Sequence, residues 1–143
     1  MKKLTSKLMI ATAALVVATG AAAAQTMRAE IPFEFRAGNL VMEPGTYRVE
    51  NLNRQISAPI FRLLNVNSGG SITLLPQASV DPQKAWKAVG NAKLAFACTS
   101  GSCALAALWD GSGIYAYTFH RPKLGKDEAA VLREIPLQPG KGE

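Results

Sequence analysis

Between residues 31 and 137, apolar and polar side chains alternate in short runs punctuated by Gly, Pro, Asn and Asp. Alternation with a period of two marks half-buried strands, because successive side chains on pleated backbone point to opposite faces. Ile31, Phe33 and Phe35 alternate with Glu30 and Glu34, and Pro32, lacking a ladder donor, predicts an edge position for that strand. Residues 36–39 read as a four-residue loop that pairs Phe35 with Leu40 and Phe33 with Met42. Pro44 and Gly45 match the central positions of a type II turn. Runs at 60–66 and 72–75 flank a Gly69-Gly70 turn, but the Leu63-Leu64 and Leu74-Leu75 pairs leave their register open. Asp81 and Pro82 predict the start of a short connector helix that stops near Gly90. The most regular runs are 93–98, 103–109 and 114–119, and 130–137 supplies a final strand. The reading is an all-β chain of about seven or eight short strands, in a single small antiparallel β-sandwich or β-barrel.

The first residues have a different character. Lys2, Lys3 and Lys7 precede an apolar run over 8–17, followed by small residues ending in Ala22, Ala23 and Ala24. A basic start, a short apolar middle and an A-x-A end form a secretory signal. The run is too short and alanine-rich for a spanning helix, which needs about 20 strongly apolar residues. Residues 1–24 are therefore expected to be cleaved, leaving 25–143 as a single β-rich domain that does not span the membrane and is periplasmic or secreted. Cleavage lowers the formal charge from +6 to +3, since three of the 16 cations leave and none of the ten acids does. That balance is too mild for a nucleic-acid partner, which calls for a clustered basic face.

Cys98 and Cys103 sit at the two ends of a four-residue turn. Facing residues of an antiparallel pair lie within disulfide reach, and an exported protein meets an oxidising environment. A structural disulfide is expected, with Phe96 opposite Leu105 and Leu94 opposite Ala107. The spacing is not the C-x-x-C of thiol–disulfide enzymes, and two thiols with one histidine cannot complete a structural zinc site.

No constellation for catalysis stands out. His120 is the only histidine, there is no G-x-S-x-G elbow, and the glycines at 69–70 and 111–113 lack the helix and lysine of a phosphate loop. Asp127, Glu128 and Glu134 have no recognisable acid–base partner. The chain is read as a non-enzyme needing no cofactor and no metal. One surface is a candidate for binding. In a regular hairpin, Leu94, Phe96, Leu105 and Trp109 share one face, while Ala104, Ala106 and Leu108 meet Tyr115, Tyr117 and Phe119 on the other. A strand pair apolar on both faces must be covered within the domain or by something else. Tyr115, Tyr117, Phe119 and Arg121 are accordingly the candidate contact residues. Three cations within 120–126 add a surface suited to an anionic partner.

At Ile31-Pro32-Phe33 with Phe35 and Gly38, and then at Pro44, Gly45, Tyr47 and Val49, the chain resembles a group of short, secreted, uncharacterised bacterial proteins. Their pattern is approximately I-P-F-x-F-x-x-G followed by P-x-G-x-Y-x-V, and this chain departs from it in having Pro44 and Gly45 adjacent. The match covers residues 31–49, implies a β-rich exported domain, and transfers no activity or binding residue. The sequence thus predicts an exported, non-catalytic binding or structural module of the cell envelope. Its partner would be another envelope protein, a glycan or an apolar ligand. The alternatives are a small β-barrel carrying an apolar ligand and a hydrolase with a dispersed active site.

Overall fold

In the computed structural model, which describes residues 26–53, 59–111, 114–121 and 129–140, the chain forms two facing β-sheets and one short helix. The signal segment 1–24 lies outside the described residues, as do residues 122–128. In chain order the strands are β1 (Thr26–Ile31), β2 (Phe35–Ala37), β3 (Leu40–Met42), β4 (Gly45–Asn51), β5 (Phe61–Asn65), β6 (Ser71–Leu74) and β7 (Ala78–Val80). Helix α1 (Lys84–Val89) follows, then β8 (Lys93–Cys98), β9 (Cys103–Trp109), β10 (Ala116–Thr118), β11 (Val131–Pro136) and β12 (Gln138–Pro139). Sheet A runs β12-β1-β4-β5-β6, and sheet B runs β11-β8-β9-β10-β7 with the β2–β3 hairpin beside β9. The pairing is antiparallel except for one parallel bridge, Arg36 to Ala104. This is a small all-β sandwich, not a closed barrel.

The 31–49 pattern encodes a visit from one sheet to the other. β1 is not an edge strand: it lies between β12 and β4. Pro32 ends it, because pairing with β4 cannot continue past a residue without an N–H. The chain then crosses to sheet B, forms β2 and β3, and returns at Gly45, which pairs with Ile31 and so closes the excursion. The β2–β3 loop is tighter than expected. Phe35 faces Met42 and Ala37 faces Leu40, leaving Gly38 and Asn39 as the loop. Gly38 carries the positive φ of 59° that a two-residue hairpin demands. The shift by two keeps Phe35 and Met42 inward, while Leu40 ends up exposed and Phe33 beyond the strand.

Gly45 departs from the type II turn, with an open φ of 156° at the start of β4. Crowding explains the glycine there: a Cβ would lie 2.9 Å from Asn65 Nδ2 and 2.9 Å from Asn67 Oδ1. Tyr47 is fully buried and donates its hydroxyl to the Glu43 carbonyl at 2.5 Å. Buried Asn65 accepts from the backbone N–H of Asn67 at 2.9 Å and of Ser68 at 3.1 Å. These bonds satisfy polar groups that burial would otherwise penalise.

The core lies between the sheets. Ile31, Tyr47, Val49, Phe61 and Leu63 come from sheet A, and Phe35, Phe96, Leu94, Leu105 and Leu108 from sheet B. Phe35 meets Tyr47 and Phe96 edge-on at 5.3 and 5.1 Å, arrangements aromatic rings favour. The leucine doublets resolve cleanly: Leu63 and Leu74 point inward, while Leu64 is half-buried and Leu75 exposed.

Hairpin β8–β9 carries an irregularity that the period of two does not reveal. Cys98 faces Cys103 and Phe96 faces Leu105 as expected, but Ala95 then faces Ala107 and Leu94 faces Leu108 rather than Ala107. Ala106 is the extra residue of a β-bulge, which reverses the inward phase. Leu108 therefore joins the core, and Trp109 turns to the outer face. There it stacks on Trp86 of α1, centroids 6.3 Å apart, in a second cluster with Ala95 and Ala116. Helix α1 is more than a connector. It begins after Gln83, two residues later than an Asp81 cap would place it, and ends with Gly90 at φ 78°, whose N–H returns to the Trp86 carbonyl.

Candidate functional site

The outer faces of the two sheets differ in chemistry. On sheet A the outward positions of β1, β4 and β5 carry charges in mutual contact. Arg62 is paired with Glu50, Arg28 lies 3.7 Å from Glu30, and Thr46 donates to Glu30 at 2.7 Å. Sheet B presents alanine instead. Ala97, Ala104, Ala106 and Ala107 form the floor of a groove of about 810 Å³. Exposed Leu132 of β11 lines it too, with His120 and Arg121. Beyond the groove the same face is closed by Trp86 over Trp109. The Trp86 indole N–H donates to Glu134 at 2.6 Å, and Lys93 lies 3.7 Å from Glu134 and 5.7 Å from the Trp86 ring centroid. The domain itself therefore covers part of this second apolar face, and the alanine groove is the remainder.

The four candidate contact residues do not share one exposed face. Tyr115 is exposed at 38% and Arg121 is exposed at the groove. Tyr117 faces Leu108 across β9 and is half-buried, its ring 5.4 Å from Phe61. Phe119 is buried at 4%, 6.1 Å from Phe61. The bulge at Ala106 is the reason: once Leu108 turns inward, its neighbour Tyr117 turns inward with it. Burial holds the Tyr117 phenol above its ordinary range, and the charge of Asp110 and the neighbouring Tyr115 push the same way. Gln77, Ala97 and Leu132 line the groove without having been singled out in the sequence. Leu132 was accessible to reasoning, as an apolar residue on the final strand, but its partner strand was not.

The cysteines are joined, with Cα atoms 4.0 Å apart. The Thr99 N–H bonds to the Ser102 carbonyl at 2.8 Å, so Cys98 and Cys103 occupy the neighbouring non-hydrogen-bonded pair, where facing side chains approach closest. A disulfide of this kind is consistent with an oxidising compartment.

Other chemistry is sparse. Among the described residues no group of three His, Cys, Asp or Glu side chains could hold a metal. His120 is exposed, Glu134 is engaged with Trp86 and Lys93, and Asp127 and Glu128 lie outside the described residues. No helix among the described residues is long and apolar enough to cross a membrane. The fold defines the class as a small two-sheet β-sandwich. Comparison with protein-family models, curated proteins and solved structures finds no match.

Proposed function

We propose that this chain is an exported, non-catalytic binding module of the cell envelope that meets its partner through the outer face of sheet B. The observation that carries the reading is the contrast between the outer faces. Sheet A shows solvent a set of mutually paired charges, whereas sheet B offers a groove floored by alanine, with Leu132 exposed and Arg121 beside it. Small side chains let a partner's backbone approach closely, and a cation beside an apolar floor adds orientation. Export is supported by the signal-like residues 1–24 and by the disulfide. The resemblance over 31–49 supports the same compartment and nothing about the partner. An interior packed with Tyr47, Phe35, Phe96 and Leu63 favours a contact surface over an enclosed apolar ligand.

The test places a photo-crosslinking residue at Leu132, and separately at Thr73 on the outer face of sheet A, in cells that make the protein. The expected result is a mature form beginning at Gln25 in the envelope fraction, with crosslinks at position 132 and none at 73. Unprocessed protein in the cytoplasm, or equal crosslinking at both positions, would contradict the proposal.

A further inference from the structure

A second concave surface lies around the disulfide hairpin, lined by the alternate residues of β8, β9 and β11 that point away from the alanine groove. This cleft of about 680 Å³ is lined by the disulfide, by the 99–102 turn, and by Glu34, Arg36 and Val41 from the β2–β3 region. Val131 and Arg133 of β11 complete it. Its chemistry is mixed, unlike the alanine groove: two guanidinium groups, one carboxylate, the hydroxyls of Thr99, Ser100 and Ser102, and two exposed valines.

Arg133 is held in place. Its guanidinium carbon lies 4.2 Å from the Phe33 ring centroid, and Phe33 in turn packs edge-on against buried Phe96 at 5.1 Å. Stacking occupies the face of a guanidinium and leaves its in-plane N–H donors for another acceptor. Among the described residues, neither Arg36 nor Arg133 makes an ion pair with a carboxylate. Glu34 lines the same cleft and is likewise outside any such pair.

We propose that this cleft binds an acidic saccharide, a sugar unit bearing a carboxylate. The arginines match a planar oxyanion through paired donors. Glu34, an acceptor only, and the hydroxyls of the 99–102 turn match sugar hydroxyls, which both donate and accept. Val41 and Val131 supply small apolar surface for the face of a pyranose ring. The Cys98–Cys103 bond, by pinning the hairpin's register, keeps the 99–102 turn and its hydroxyls in position. The cleft and the sheet B groove have no lining residue in common, so either assignment can fail without the other.

The test is a titration of the mature, oxidised protein with glucuronate, followed by backbone amide shifts, with glucose and inorganic sulfate as separate arms. The expected result is saturable shifts at Thr99–Ser102, Arg36 and Arg133 with glucuronate, weaker binding of sulfate and none of glucose. Arg36→Gln and Arg133→Gln should each weaken glucuronate binding about tenfold or more, the loss typical of one hydrogen bond to a charged group, with Arg121→Gln unchanged. Sulfate binding as tightly as glucuronate would reduce the cleft to a patch for any anion and overturn the saccharide assignment. Shifts that never saturate, or that centre on Arg121, would also overturn it.

Discussion

Replacing Trp86 tests whether α1 closes the outer face of sheet B or merely links β7 to β8. Its side chain is 3% exposed and stacks on Trp109, with its N–H bonded to Glu134. A buried tryptophan covers about 200 Å², which at about 25 cal/mol per Å² sets an upper limit of about 5 kcal/mol. The helix is short and peripheral, so the site can relax partly, and Trp86→Ala should cost about 3 kcal/mol, the low end for such truncations. Trp86→Phe keeps most of the packing and loses the indole donor. Glu134 retains Lys93 and solvent, so that variant should cost only about 1 kcal/mol. Urea unfolding of the mature protein measures both, and unchanged m-values would show that the unfolded state is not responsible. Near-ultraviolet circular dichroism should lose the coupled indole signal in both variants. A cost below about 1 kcal/mol for Trp86→Ala would show that α1 is a loose connector and that Trp109 finds its cover elsewhere.

Three further outcomes follow from the geometry. Gly45→Ala should destabilise by about 1–3 kcal/mol, the usual cost of overpacking, because its Cβ meets Asn65 and Asn67 at 2.9 Å. Gly69→Ala has open space around it but a φ of 84°, so by the same urea assay it should cost about 1 kcal/mol from backbone strain alone. Burial, reinforced by the charge of Glu43, holds the Tyr47 phenol above its ordinary value, although Asn65 pulls the other way. The folded state thus keeps this proton longer than the unfolded chain. Its contribution is full below about pH 10, the unfolded value, and fades as pH rises through the folded value. Tyr47→Phe should therefore cost about 1 kcal/mol at neutral pH and flatten the alkaline decline measured by thermal melts, with a residual slope from Tyr117. Replacing both cysteines by serine should lower stability by about 2 kcal/mol, the chain-entropy value for so small a ring, without changing the amide spectrum of sheet A. A change in sheet A would mean that the bond holds more than its own hairpin.

Much of this architecture was legible in the residues. The Cys98–Cys103 pairing followed from turn length, and the strands at 93–98 and 103–109 coincide with β8 and β9. What escaped did so for identifiable reasons. One extra residue, Ala106, reverses the phase of everything after it, and a row of alanines gives no cue to where the insertion lies. β7 is exposed along its whole length, so no alternation marks it. Pro32 was informative about where pairing stops, yet a proline that ends a strand by sending it to another sheet looks, in sequence, like one on an edge. The same is true of the resemblance pattern. Its Pro44, Gly45 and Tyr47 build the return corner, with Tyr47 bonded to Glu43, so those residues report on folding rather than on a ligand. The disulfide cleft was invisible for a different reason: Arg36 and Arg133 are nearly a hundred positions apart, and only the sandwich brings both to one cleft.

The bulge decides which side chains face the core and which line the groove, so its register is the point on which the functional reading rests. Side-chain proximity measured by nuclear Overhauser effects on the mature protein tests it directly. Close contacts between Leu94 and Leu108, together with Trp86 against Trp109, are the predicted result. Leu94 against Ala107, with the Trp109 indole beside Phe96 in the core, would restore an unbroken hairpin and remove the groove from the outer face.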